Sequence, residues 1–239
     1  METERQIGVY GKLPVHGDFV HRNLPRSFIS IWDDWLQIYI AGSKEQIGEE
    51  WLDIYLTSPI WRFVLSAGVI DGNQWAGIML PSVDQVGRYY PFTIVLPIPS
   101  SLSPFEYISL HAGWYEKIED LALQALEQEL VVDDLLDEIN KTKTDFSSSY
   151  EKTGQLMEAN GIQINMEFEE QLPMSVYPYM LDSVLTRTFN SYSAWATQGS
   201  ERVSPSLFAV KGLPVASNIP AMMDGQWAYW GWPQTYAAK

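Results

Sequence analysis

Trp61-Arg62-Phe63-Val64-Leu65-Ser66-Ala67-Gly68-Val69-Ile70 runs into Asp71-Gly72 and then Gln74-Trp75-Ala76-Gly77-Ile78-Met79-Leu80, and this stretch decides the fold class. Two runs rich in β-branched and aromatic residues flank an Asp-Gly pair, which supplies the positive φ angles a tight hairpin needs. The spacing predicts an antiparallel hairpin. A Gly/Pro-bearing loop follows at 81–91, and a third strand is expected over 92–98. Pro97 and Pro99 put the late part of that strand at an edge or outside the sheet, because proline has no N–H to donate to a second neighbour.

Working upstream, residues 5–11 read as a short strand ending at a glycine, and a loop carrying Pro14, Gly17 and Asp18 follows. Phe28, Ile31, Trp32, Trp35, Leu36, Ile38 and Tyr39 then recur with helical spacing, with Asp33, Asp34 and Gln37 on the other face. Pro25 suits the start of this helix and Gly42 its end. A short second helix is expected at 49–57, before Ser58-Pro59.

Downstream, residues 104–140 are helical in pattern and acidic. Leu110, Trp114, Ile118, Leu121, Leu126 and Leu130 mark one apolar stripe, and the acids between Glu116 and Glu138 read as its solvated face. Residues 141–160 have few apolar anchors and read as a connector. A helix is expected at 175–189 and strands at 191–197 and 207–211; the tail is aromatic, with Trp227, Trp230 and Trp232. Hairpin-joined strands predict an α/β fold with an antiparallel sheet flanked by helices, not a doubly wound parallel sheet. The expected division is an α/β domain over 1–140 and a smaller, mostly helical C-terminal part over 141–239, packed on the first.

Thirty acidic against fifteen basic residues give a net charge of −15. That field repels nucleic acid, whose recognition rests on Lys and Arg neutralising phosphates, and it disfavours an anionic membrane surface. With 46% hydrophobic residues there is material for a packed core. There are no cysteines, so disulfides, thiolate metal sites and a cysteine nucleophile are excluded together. The polar N-terminus lacks a signal-peptide pattern and no long apolar run is present, so a cytoplasmic location is expected.

Two loops carry the residues with chemical potential. In the first, His16, Asp18 and His21 are of ligand type for zinc or iron, but the histidines are five apart in a Gly/Pro loop and lack helical i, i+4 spacing. Gly11-Lys12 lacks the flanking residues of a phosphate-binding loop. In the second, Ser82 and Asp84 invite a hydrolase reading, yet no G-x-S-x-G elbow is present and only His16, His21 or His111 is available as a base. An Asp-capped turn explains the same residues structurally. No cofactor is expected. Trp32, Trp35, Trp61, Trp75 and Trp114 fall on expected core faces; several tryptophans lining an open groove would instead suit a glycan-binding module. The loops also carry charges of both signs: Lys12, Asp18 and Arg22 in one, Asp84 and Arg88 in the other. They are expected to meet on one side of the sheet through an Asp–Arg or Asp–Lys contact.

Gly11-Lys12-Leu13-Pro14, Gly17-Asp18-Phe19-Val20 and Arg22, followed by Trp32 and Trp35, resemble the N-terminal signature of the TagF/ImpM family. Ser58-Pro59-Ile60-Trp61-Arg62-Phe63 and Pro81-Ser82-Val83-Asp84 with Gly87-Arg88-Tyr89-Tyr90-Pro91-Phe92 are similar to its later signatures. Trp195, Gly199-Ser200 and Gly212-Leu213-Pro214 resemble its weaker C-terminal marks. The resemblance implies a cytoplasmic accessory protein of a bacterial type VI secretion system. Its members act as post-translational repressors of secretion through contact with the forkhead-associated scaffold protein Fha. It carries no expectation of enzymatic activity. Read from their chemistry and their place on the two loops, Lys12, Asp18, Arg22, Ser82, Asp84 and Arg88 are expected to form a partner-binding or structural cluster. The alternative is a hydrolase or metal-dependent enzyme centred on the loops 12–22 and 81–91.

Overall fold

The computed structural model describes residues 6–128, 130–142, 146, 150, 161–165, 176–233 and 236. Seven strands form its sheet: β1 (Gly8–Gly11), β2 (Val20–Arg22), β3 (Trp61–Leu65), β4 (Gln74–Leu80), β5 (Phe92–Ile98), β6 (Tyr192–Thr197) and β7 (Ser206–Lys211). Their order is β2-β1-β5-β4-β3-β6-β7, and every neighbouring pair is antiparallel. The fold class is therefore α/β with an antiparallel sheet flanked by helices. Residues of the expected C-terminal part supply β6 and β7, so strand pairing of β6 with β3 joins that part to the first.

Both faces of the sheet are covered, which explains why the central strands read as apolar runs without polar alternation. Trp61, Phe63 and Leu65 of β3 and Trp75 and Met79 of β4 face a cluster built on α1 (Arg26–Ile47) and α2 (Trp51–Leu56). Val64, Ala76, Ile78 and Leu80 face the opposite layer: α3 (Pro104–Leu110), α4 (Ala112–Leu126), α5 (Val132–Asn140) and α6 (Tyr177–Phe189). A short helix, α7 (Ala221–Asp224), lies on the α1 side with Met222 and Met223 buried.

Trp32 sits at the centre of the first cluster. Its ring packs on Phe28, Trp35, Phe63 and Trp195, and its indole N–H donates to Thr93 Oγ1 at 3.0 Å. The five tryptophans expected in the core are all buried. The aromatic tail docks on the sheet: Trp227 and Trp232 pack on Phe208, and Trp230 donates to Asp224 Oδ2 at 2.7 Å.

Several expectations need correction. The connection between β3 and β4 is the eight-residue loop 66–73, not a two-residue turn. Ser66 leaves the hairpin because its N–H donates to Tyr192 O and its hydroxyl accepts from Tyr192 N, tying it to β6. Asp71 still shapes the turn, accepting from Asn73 N and Trp75 Nε1. Helix α1 runs through Gly42 to a cap at Gly48, where φ is 77°. One interior glycine costs a helix about 1 kcal/mol, and anchors on the following turn outweigh it: buried Ser43 accepts from Trp51 Nε1, and exposed Gln46 reaches Ala216 O. Ile31, Ile38 and Leu110, expected to be buried, are exposed. Pro97 lies where β1 has already ended opposite Val95, so it has a strand neighbour on one side only. The connector expected at 141–160 falls largely outside the described residues.

Candidate functional site

The loop 12–19 and the loop 81–91 meet at the end of β1, where two backbones come into contact. Gly11 has φ of 130°, and a Cβ there would stand 2.1 Å from Pro91 O. Only glycine lets the chains pass at that distance. The first loop therefore starts beside the end of the second.

Asp84 joins the two. Its side chain is fully shielded from solvent. Oδ2 accepts from Lys12 Nζ at 2.6 Å and from Arg88 Nε at 2.6 Å; Oδ1 accepts from the backbone N–H of Val86 and of Arg88. Burial alone would raise this carboxyl, but the bonds from Lys12 and Arg88 outweigh it and hold Asp84 well below the usual carboxylate range. The Arg88 guanidinium also donates to Gly17 O at 2.6 Å, and Gln85 N donates to His16 O at 3.0 Å. The charged contact joining the loops is thus Asp84 with Lys12, while Arg88, paired with Asp84 within its own loop, reaches across to the Gly17 carbonyl.

Ser82 is bonded on every side. Its hydroxyl donates to Lys12 O at 2.7 Å, its N–H donates to the Tyr55 hydroxyl, and its carbonyl accepts from Tyr55 and from Tyr90 N. A serine nucleophile must give its proton to a base, and this proton is committed to a carbonyl. His21 lies on β2 opposite Tyr10 and is exposed, while His111 Nδ1 is 3.2 Å from Tyr107 O. Among the described residues no group of three His, Asp or Glu side chains is placed to hold a metal ion.

Asp18 and Arg22 stand apart from this clip. Asp18 is exposed, and its Oδ1 accepts from Phe19 N. Arg22 reaches Asp133 of α5 at 3.1 Å, in an exposed ion pair. Sequence reasoning missed a third layer of the site: Tyr10 and Tyr90 both donate to Asp33 Oδ1, at 2.5 and 2.6 Å. Burial and the Asp33 carboxylate raise both phenols above their ordinary value. Phe19 packs on both rings, with Lys12 Nζ 4.8 Å from its centroid. In the sequence Asp33 reads only as a polar residue on the helix's outer face; nothing in the spacing places it opposite residues 23 and 57 positions away.

The loop pair is a rigid, hydrogen-bonded unit whose tips carry an exposed Phe19 and, at 68% exposure, Val86. Such a surface can bind; its inward side chains are occupied in holding it together.

Among the described residues no helix is long and apolar enough to cross a membrane. No curated protein matches the sequence. A solved structure, that of PA0076 from Pseudomonas aeruginosa PAO1, aligns with a TM-score of 0.73 and 32% identity over 92% of this chain and 95% of that one. Residues 8–142 match the TagF N-terminal domain, which is type VI secretion system-associated and spans both loops and the helices beside them. The chain belongs to the TagF family of type VI secretion system-associated proteins.

Proposed function

We propose that this chain is a post-translational repressor of type VI secretion that works by binding, with the Fha-type forkhead-associated scaffold as its partner and the loop pair as its contact surface. The observation that carries this reading is the arrangement around Asp84. The buried charges hold two loops in one geometry, and the tips so presented, 17–19 and 85–87, are exposed. Rigid loops on a sheet scaffold are a common seat of recognition, because little conformational freedom is lost on binding. The hydrolase reading is disfavoured by the Ser82 hydroxyl, which is already engaged with Lys12 O.

The test is a pull-down of purified chain against the scaffold, with wild type and with Asp18→Ala/Phe19→Ala/Val86→Ala, which alters only exposed positions. Circular dichroism checks folding. Capture by wild type and loss by the folded variant is the expected result. Absence of capture by folded wild type would overturn the partner assignment, and equal capture by both would overturn the loop surface. Secretion measured in cells lacking and then overproducing the chain reads the sign of regulation: more without it, less with excess.

A further inference from the structure

The two edges of the sheet are unlike each other. Strand β2 has three residues, carries His21 and Arg22, and is tied to α5 through Asp133. Short, charged, covered edges are how proteins avoid strand-to-strand association. Strand β7 has six residues, with Leu207-Phe208-Ala209-Val210 uninterrupted by charge or proline and a continuous register against β6.

Alternation of the hydrogen bonds shows which β7 amides face outward. Tyr192 O accepts from Ser66 N on the β3 side of β6, and Ser191 O accepts from Gly212 N on the β7 side. Odd-numbered β6 residues therefore face β7, so even-numbered residues of β7 face β6. The N–H and C=O groups of Leu207, Ala209 and Lys211 point away from the sheet.

A second feature lies in the same layer. On α6, Tyr177, Met180, Leu181 and Val184 recur at i, i+3, i+4 and i+7, and all are between 39% and 56% exposed. Leu185 and Phe189 of the same helix are partly buried against the core that holds Ala194, as are Ala196 and Ala209. Helix α3 lies over β3, β4 and β6 and also against α6, whose own sheet contact is β6. That places α6 beside α3 and over β6, the strand next to β7.

We propose that two copies of this chain pair through β7, antiparallel about a two-fold axis normal to the sheet, joining two seven-stranded sheets into one. Outward amides meet outward amides when Ala209 lies opposite Ala209 of the second copy. Leu207, 62% exposed, then lies opposite Lys211, covering its aliphatic stem. No like charges meet along the strand in this register. The α6 flanks stand on one face of the joined sheet, on either side of the axis, and the one acid of α6, Asp182, is engaged by the Tyr192 hydroxyl at 2.6 Å. The net charge of −15 on each chain opposes approach, so salt promotes the pairing.

Sedimentation velocity of the full chain, over a range of concentrations in low and high salt, is the first measurement. A monomer–dimer shift that grows with concentration and salt is expected; a monomer under all conditions overturns the proposal. Because the chain has no cysteine, Ala209→Cys introduces the sole thiol. Directly opposed residues sit ~5.5 Å apart between Cα atoms, inside disulfide reach. The Ala209→Cys protein should form a disulfide-linked dimer on a non-reducing gel. Leu207→Cys, opposite Lys211, should remain monomeric. Equal cross-linking by both overturns the register. Ala209→Pro removes an outward donor, and Val184→Glu charges the exposed α6 flank. Both should weaken dimerisation several-fold with unchanged circular dichroism, and Val184→Glu keeps the test decisive if the proline variant misfolds. A dimer insensitive to folded Val184→Glu and to Ala209→Pro sinks the interface.

Discussion

Lys12 Nζ lies 2.6 Å from Asp84 Oδ2, across 72 residues of chain, with both side chains shielded from water. Two buried charges of opposite sign in contact offset each other's desolvation, whereas either alone does not. Lys12→Met leaves Asp84 with Arg88 as its only charged partner and unties the first loop. Its thermal midpoint should fall by several degrees. Lys12→Arg, which keeps the charge but not the shape of the ammonium, should fall between the two. Differential scanning calorimetry checks both; a Lys12→Met midpoint equal to wild type would remove the clip from the account.

The acid response follows from the same group. The Asp84 carboxyl is lowered from its ordinary 3.8 in the folded chain. A lowered carboxyl contributes stability that is fully present above its unfolded value and is lost as pH falls through the folded one. Wild type should therefore lose its advantage over Asp84→Asn progressively below about pH 4. Urea midpoints of the two proteins, measured in steps from neutral to acid, should converge. Parallel curves throughout that range would show that the carboxylate is not preferentially charged in the fold.

How much of this was legible in the sequence differs between its parts. The hydrophobic period of 28–39 and the strand runs on either side of Asp71-Gly72 were readable because burial acts locally on side-chain spacing; the Asp-Gly pair itself misled, since the positive φ in this connection falls at Gly68. The connection 66–73 was not readable, because Ser66 is claimed by Tyr192, 126 residues away. The helix stop at Gly42 failed for the same kind of reason, a tertiary contact overriding a local preference. At the loop site, residue types pointed to an Asp–Lys or Asp–Arg contact but not to which acid. Asp18 and Asp84 look equivalent in sequence, but Asp84 is buried and bonded by two amides of its own turn, whereas Asp18 is exposed and accepts from Phe19 N.

Gly11 tests the close approach of the two loops. A methyl group there would meet Pro91 O and Phe92 Cα, both backbone atoms that cannot swing aside. Its φ of 130° adds a conformation that alanine rarely adopts. Gly11→Ala should lower stability more than the roughly 1 kcal/mol typical of a substitution. Chemical denaturation with hydrogen exchange should show the added loss of protection concentrated at 11–19 and 81–91. An unchanged denaturation midpoint would mean that the loops part without cost.

Trp32 tests the aromatic core separately from the loops. Trp32→Ala removes a fully buried indole from between Phe28, Trp35, Phe63 and Trp195 and should cost about 3–5 kcal/mol. Trp32→Phe retains much of the ring packing but leaves Thr93 Oγ1 without its donor, and should cost about 1–3 kcal/mol. Equilibrium urea denaturation ranks the two. Equal losses would show that the hydrogen bond, and not the ring, carries the contribution.

Arg62 and Glu119 are the ion pair that fastens α4 to the sheet. Arg62 on β3 donates to Glu119 through Nε and Nη2, both at 2.7 Å, and its guanidinium lies 5.4 Å from the Tyr115 ring centroid. Both side chains are mostly buried, so removing one leaves the other charged in a poor solvent. Arg62→Met should cost about 3 kcal/mol, while Arg62→Met/Glu119→Leu should recover most of it, because two apolar groups of similar size need no counter-charge. A double-mutant cycle built with Glu119→Leu alone gives the coupling directly. A coupling near zero would place the stabilisation in the packing of Arg62 on Tyr115. A coupling of the expected size would show that the charges here serve to fix where α4 sits.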